Sequence, residues 1–129
     1  MAIYKELSIY KSAYALLVQA AQITRNYPRD FKKSIGDKVR DECVEIIVLI
    51  FKANVSYNKI PHIEKLLEHV QVVELLLRLS KDMRFISTGQ YARVIEITDE
   101  IGKQSTGWKK QQSAAPPAAE PPRQLSLCD

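Results

Sequence analysis

Apolar residues recur along this chain with the spacing of a helix face, in segments separated by short polar breaks. The first segment runs from about Leu7 to Thr24, and the second from near Phe31 to about Val55. A third begins around Pro61, a residue tolerated in the first turn because its missing N–H would be unpaired there. The residues predicted to face the core are Ile9, Ala13, Leu16, Leu17, Ala20 and Ile23 in the first helix, Ile35, Val39, Cys43, Ile46, Ile50 and Ala53 in the second, Ile63, Leu67, Val70, Val73, Leu77 and Leu79 in the third, and Tyr91, Val94, Ile95, Thr98 and Ile101 in the fourth.

A capping motif predicts where the fourth helix begins. The sequence Ser87-Thr88-Gly89-Gln90 has the Ser-x-x-Gln form, in which each side chain satisfies a free backbone N–H of the first turn. The helix is predicted to end near Gly107-Trp108. From Gln111 onward the composition changes to Gln, Ser, Ala and Pro without periodicity, which cannot bury enough apolar surface to offset the entropy of ordering. We therefore expect a folded domain over residues 1–110 and a disordered Pro/Ala-rich tail over residues 111–129.

Four helices with short connections predict an all-α, antiparallel up-down-up-down four-helix bundle. A β-sandwich or barrel is disfavoured because the chain has 4 Gly and 6 Pro, and four of the prolines follow residue 115. The second and third helices carry more apolar surface than a bundle core uses, since residues 43–51 and 72–79 are apolar almost all round. This surplus predicts cover by another subunit. The alternative is that these two helices pack centrally within one bundle.

Sequence signatures of enzymes and metal sites are absent. The chain has no GxGxxG, GxxxxGK[ST], HExxH or GxSxG motif. His62 and His69 lie about 10 Å apart along one helix, too far to share a metal ion, and are predicted to lie on the surface. Cys43 is predicted to be a buried, unreactive thiol because it lies in an apolar run. Glu96, Asp99 and Glu100 fit a solvated face that pairs with Lys103 better than a catalytic carboxylate pair. No enzyme, cofactor or metal is predicted.

Cysteine usage and hydropathy indicate the compartment. The two cysteines form neither a disulfide framework nor a CxxC motif, which favours a reducing environment. No apolar run approaches the roughly 20 residues that span a bilayer. We therefore expect a cytoplasmic protein without a membrane partner.

Positive charge is concentrated in groups of basic residues. The net charge is +4, and the chain before Gln111 holds 18 basic and 13 acidic residues. The candidate binding residues are Arg25, Arg29, Lys32 and Lys33 near the first connection, Arg78, Lys81 and Arg84 near the third, and Lys109 and Lys110 at the end of the fourth helix. In an antiparallel bundle the first and third connections share one end, so the two larger groups are predicted to meet there and to neutralise several phosphates. The alternative is a solvated cluster that complements the helix dipoles.

Several stretches of the chain resemble a known family. Residues 76–87 (LLRLSKDMRFIS), then Gln90-Tyr91 and residues 99–110 (DEIGKQSTGWKK), are similar to the C-terminal half of the Avd-like four-helix-bundle proteins. The N-terminal half agrees through Tyr27-Pro28-Arg29, Ile35-Gly36, residues 41–51 and residues 59–67. The family includes the accessory variability determinant (Avd) of diversity-generating retroelements and, more distantly, proteins encoded in intervening sequences of bacterial large-subunit ribosomal RNA genes.

This resemblance implies an assembly and partners. It implies a homopentameric barrel of bundles, encoded by a bacterial host or a phage, that binds the retroelement's reverse transcriptase. It also implies binding of template RNA and cDNA, through the basic residues named above, during mutagenic reverse transcription. The alternative is a ribosomal RNA intervening-sequence-type protein that binds RNA without a polymerase partner.

Overall fold

The computed structural model describes residues 7–114, which form four long helices and no strands. We name the helices α1 (Ser8–Thr24), α2 (Asp37–Val55), α3 (Ile60–Asp82) and α4 (Thr88–Ala114). Helix α1 packs against α2 and α4, and α3 packs against the same two helices. Side-chain contacts show that α3 and α4 run antiparallel. Glu74 contacts Thr98 near the middle of the two helices, and Glu64, close to the start of α3, contacts Lys109, close to the end of α4. The predicted antiparallel four-helix bundle is confirmed.

The entry into α2 differs from the regular helix predicted from Phe31. A short α-helical turn, Arg29–Phe31, leads into a π-helical turn, Lys32–Gly36, and regular α-helix begins only at Asp37. A π-turn changes the local count of residues per turn without changing composition, so hydrophobic spacing carries little signal for it. The turn places Lys32 and Lys33 in solvent while Ile35 packs on the core.

The beginnings of the last two helices agree with the sequence. Pro61 occupies the first turn of α3. At α4 the backbone N–H of Gln90 donates to Ser87 Oγ at 3.0 Å, and the N–H of Ser87 donates to Gln90 Oε1 at 2.8 Å. Both orphan donors of the capping box are thereby satisfied.

Helix α4 is longer than predicted. It continues past Gly107-Trp108, and past the expected domain boundary at Lys110, to Ala114. The residues from Lys109 to Ala114 include neither Gly nor Pro, so nothing in them breaks a helix. Residues 115–129 of the predicted tail lie outside the described residues.

The core is formed by the predicted apolar stripes with three corrections. The stripes of α1, α2 and α4 are buried or pack on the core as expected, except that Ile95 of α4 is only half-buried and Ile97 packs on the core instead. On α3, Leu67 is likewise half-buried outside the core, and Leu79 is 40% exposed. Leu79 follows Leu77 by two residues, or about 200° of helix rotation, so the two cannot share a face. Leu66 and Ser80 are fully buried on α3 instead.

Apolar side chains also remain on the outside of α2 and α3. Leu75 is 67% exposed, and Leu79 and Met83 continue the same stripe of α3 at intervals of four residues. Val44 and Val55 are exposed on the outer side of α2. The bundle therefore does not use all of the apolar surface of these helices internally, and central packing within one chain does not account for it.

Among the described residues, every buried side-chain nitrogen and oxygen atom has a hydrogen-bond partner. The carboxylate of Glu42 on α2, whose side chain is 9% exposed, accepts a hydrogen bond of 2.7 Å from Nδ1 of His69 on α3. His62 lies 3.0 Å from Ser56 Oγ. Both histidines are half-buried and have partners, so the prediction of plain surface histidines was wrong. The ammonium of Lys59 donates to the carbonyls of Ala53, Asn54 and Ser56 at 2.9 to 3.0 Å, closing the end of α2.

Candidate nucleic-acid interface

Aromatic contacts bring the first and third connections together at one end of the bundle. The Tyr27 hydroxyl donates to Ser80 Oγ at 2.7 Å. The Phe85 ring lies 5.2 Å from the Tyr27 ring and 5.0 Å from the Phe31 ring, measured between centroids. Since Tyr27 and Phe31 precede α2 and Phe85 follows α3, the predicted shared end is confirmed. We call this end the basic pole and define it by Arg25, Arg29, Lys32, Lys33, Arg78, Lys81 and Arg84.

The first half of the basic pole is held by the entry into α2. Arg25 forms the C-terminal cap of α1, where a cation complements the helix dipole. Phe31, which lies between Arg29 and Lys32 in the sequence, packs on Phe85. Arg25, Arg29, Lys32 and Lys33 are all exposed, and none forms an ion pair with another described residue.

The second half depends on how α3 ends. The N–H of Arg84 donates to the carbonyl of Lys81 at 2.9 Å, and the N–H of Phe85 donates to that of Ser80 at 2.8 Å. This pair of bonds is a Schellman motif, whose central residue adopts the left-handed conformation that favours glycine. Here that residue is Arg84, with φ of 65°. An arginine side chain is therefore carried at a position where a glycine would be more stable.

The charges of this second half are only loosely neutralised. Arg78 and Lys81 each lie 3.9 Å from Asp82, at the limit of an ion pair. The ammonium of Lys81 also lies 4.9 Å from the centre of the Tyr91 ring, which attracts a cation. Lys81 and Arg84 line a groove of about 720 Å³ together with Ser87 and Thr88. The groove is open to solvent and is lined by these two cations, two hydroxyl-bearing residues and the carboxylate of Asp82.

Lys109 and Lys110 are not brought to this pole. Lys109 Nζ lies 3.1 Å from Glu64 near the start of α3, so both lysines lie at the opposite end of the bundle. The predicted binding residues therefore fall into two separate surfaces.

One further contributor to the pole, Phe85, was missed from the sequence. Phe85 follows the end of α3, where helical periodicity no longer applies, whereas its partners Tyr27 and Phe31 lie among the basic residues of the first connection. Arg40, a basic residue farther along α2, bonds to Asp37 and donates to Thr24 Oγ1 at 2.7 Å. Arg40 thus fastens α2 to α1 instead of adding an unpaired charge to the pole.

The residues considered for catalysis are built into the interior or lie apart. Cys43 is fully buried, and burial, together with the neighbouring Glu42 carboxylate, raises the pKa of its thiol to about 12. A thiol with that pKa is not a nucleophile near neutral pH. Glu96, Asp99 and Glu100 are exposed, but no ion pair with Lys103 forms. Within residues 7–114 no group of three potential ligands could hold a metal ion. No helix in that range combines the length and apolar character needed to cross a bilayer.

Comparison with known proteins identifies the family. No curated protein matches the chain. The family model described as bAvd-like matches residues 7–112, which take in α1, α2, α3 and nearly all of α4. The match also contains every residue of the basic pole. Because it covers most of the chain, the protein belongs to the bAvd-like family.

Proposed function

We propose that this protein is a non-enzymatic accessory subunit of a diversity-generating retroelement. In this proposal its basic surface binds the reverse transcriptase and nucleic acid, as template RNA or cDNA, and supports mutagenic reverse transcription. Membership of the bAvd-like family favours an accessory protein of the Avd type. The observation that carries the rest is the joining of two basic groups at one pole by the Tyr27–Ser80 and Phe31–Phe85 contacts.

Electrostatics support a polyanionic partner for the basic pole. Each phosphate neutralised by Lys or Arg releases condensed counterions, so affinity comes largely from cations that a partner can reach. Four cations of the pole are exposed without ion pairs among the described residues, namely Arg25, Arg29, Lys32 and Lys33. Arg78 is 70% exposed despite its long contact to Asp82. Phosphates can therefore approach these side chains without breaking strong internal pairs.

We propose further that the protein assembles as a homopentamer. The support is the apolar surface on α2 and α3 that one chain leaves uncovered, especially Leu75, Leu79 and Met83. Patches of this kind in soluble proteins mark contact surfaces. The stripe on α3 and the exposed valines of α2 lie on two different helices. Contact between two different patches on neighbouring copies generates a ring when the rotation closes.

Co-expression with the reverse transcriptase encoded nearest to this gene tests the proposal. We expect the two proteins to co-purify, and we expect an Arg78→Ala/Lys81→Ala/Arg84→Ala variant to keep its mass by light scattering but to lose the polymerase or the RNA. A matched control removes three exposed lysines outside the pole, as Lys52→Ala/Lys65→Ala/Lys103→Ala, and should retain both partners. Equal retention by the two variants would contradict the assignment of the pole.

Lys109 and Lys110 are tested separately because they lie at the other end of the bundle. In the proposed complex a Lys109→Ala/Lys110→Ala variant loses part of its affinity for the polymerase or RNA while the pole remains intact. A protein that binds RNA through the pole with no affinity for any polymerase would instead support the ribosomal RNA intervening-sequence type. The presence of a reverse transcriptase gene and a template repeat beside the gene separates these two functions directly.

A further inference from the structure

A second groove lies on the side of the bundle, between α3 and α4, away from the basic pole. It has a volume of about 500 Å³. Its lining includes Leu67 and Val70 of α3, and Gly102 and Gly107 of α4. A Cβ placed on either glycine would meet nothing within 4 Å, so that wall of the groove is bare backbone open to an occupant. In the proposed function only Lys110, at one end of the groove, has a role, and the rest of the lining has none.

Charges are arranged in a definite order along the groove. From the C-terminal end of α4 the lining presents Lys110, then Lys103, then Asp99. None of these three forms an ion pair with another described residue. Glu74, across the groove from α4, is held by a 2.9 Å hydrogen bond from Thr98. The groove is thus positive near the end of α4 and negative farther along it.

We propose that the occupant of this groove is the chain's own segment 115–129, which docks antiparallel to α4. The segment begins where α4 ends, beside the positive end of the groove. Its first internal charge is Glu120 and its next is Arg123, so its charges follow the opposite order to those of the groove. Four of its residues are prolines, which preset the extended polyproline conformation and reduce the entropy lost on docking.

The lengths agree with this pairing. Glu120 can lie about 19 Å from Ala114 in the polyproline conformation, while Lys103 lies about 16 Å back along α4. Arg123 can lie about 28 Å from Ala114, while Asp99 lies about 22 Å back along the helix. Each of these extended lengths is a few ångströms greater than the corresponding distance along α4. The difference allows the chain to reverse direction after Ala114. Glu120 is therefore assigned to Lys103, and Arg123 to Asp99.

Docking of this segment would make the groove a regulated surface. When the segment is bound, Leu67 and the glycine wall of α4 are covered, and a partner that uses this side must displace the segment first. This inference does not rest on the basic pole and can fail while the proposed function stands.

Paramagnetic broadening in NMR spectra tests the proposal, because the four glycines of the chain are natural reporters. A nitroxide is attached at position 119 in an Ala119→Cys/Cys128→Ser variant of the full chain labelled with ¹⁵N-glycine. Cys43 does not react because it is fully buried. We expect loss of the Gly102 and Gly107 signals, with retention of those of Gly36 and Gly89, which lie outside the groove.

Charge reversal supplies the second arm of the experiment. Arg123→Glu should restore the Gly102 and Gly107 signals, and adding Asp99→Lys should remove them again. Lys52→Glu, an exposed charge reversal on α2, should have no effect. Equal intensities of all four glycine signals in the nitroxide-labelled chain would overturn the proposal. So would signal loss in a sample where the nitroxide and ¹⁵N are on different molecules, because the segment would then dock on a second copy or a neighbouring subunit.

Discussion

Tyr27 and Ser80, separated by 53 positions in the sequence, share a 2.7 Å hydrogen bond that ties the first connection to the end of α3. The Ser80 hydroxyl donates its own hydrogen bond to the carbonyl of Leu76 at 2.8 Å, so the Tyr27 hydroxyl is the donor of the pair. Burial raises the pKa of Tyr27. The hydroxyl therefore stays protonated and keeps its role as donor wherever the protein is folded near neutral pH.

Replacing Tyr27 with Phe should lower the free energy of unfolding by about 1 kcal/mol, the usual net contribution of a buried hydrogen bond. Urea denaturation measures the change. Because Tyr27→Phe and Ser80→Ala remove the same bond, the double variant should be less destabilised than the sum of the two single variants. Strict additivity would mean that this contact does not couple the two connections.

Arg84→Gly should separate stability from binding. Glycine relieves the left-handed backbone conformation, so we expect thermal denaturation to show a gain of about 1 kcal/mol. The same variant removes one cation of the basic pole and should weaken RNA binding. Arg84→Ala is the matched control, because it loses the charge equally but keeps the backbone conformation. A loss of stability in the glycine variant would contradict the geometry described for the end of α3.

The Glu42–His69 pair predicts that replacing His69 destabilises the protein more than replacing His62. His69→Ala leaves a buried carboxylate without its partner and should cost about 3 kcal/mol of unfolding free energy. His62→Ala removes only a contact with Ser56 and should cost about 1 kcal/mol. Adding Glu42→Leu to His69→Ala should recover stability, since an apolar side chain needs no partner there. A double variant no more stable than His69→Ala would exclude this explanation.

The buried thiol of Cys43 predicts a loss of stability in alkaline solution. Its pKa is about 12 in the folded protein against an ordinary value of 9.0. Below pH 9.0 both the folded and unfolded chains hold the proton, so the thiol adds no pH dependence. Above that pH the unfolded chain releases the proton first and is favoured, so the free energy of unfolding falls as the pH rises toward 12.

Denaturation at about pH 8 and about pH 11 measures this effect. Cys43→Ala lowers stability at both pH values because it leaves a cavity in the core. The further loss of stability between the lower and the higher pH should, however, be smaller for this variant than for the unaltered protein. An identical decrease in the two proteins would assign the alkaline sensitivity to other groups, including Tyr27, which acts in the same direction.

The sequence could predict the bundle because each helix repeats its apolar residues over several turns. Val39, Cys43, Ile46 and Ile50 share one face of α2 whatever the local details, and all four are fully buried. The capping box at Ser87 was predictable for a related reason, since its two hydrogen bonds depend on residues three positions apart. Strong local rules of this kind leave few alternatives.

Features that depend on contacts between distant segments could not be predicted in the same way. The pairing of His69 with Glu42 requires the register between α2 and α3, which neither helix specifies alone. The position of Phe85 follows from the Schellman motif, and an arginine at its centre hides the signal that a glycine would have given. Antiparallel topology was sufficient to predict that two basic groups share one pole, but not that Arg40 is held by Asp37 and Thr24.

The salt dependence of RNA binding tests the central claim most directly. The logarithm of the association constant of the purified protein for a structured RNA is measured against the logarithm of salt concentration, and compared with that of the Arg78→Ala/Lys81→Ala/Arg84→Ala variant. Each lost phosphate contact reduces the steepness of this plot by about 0.7 to 0.9. We predict a steep plot for the unaltered protein and one shallower by about 2 for the variant. Plots of equal slope, or no affinity for RNA in either protein, would contradict the assignment of the basic pole as a nucleic-acid interface.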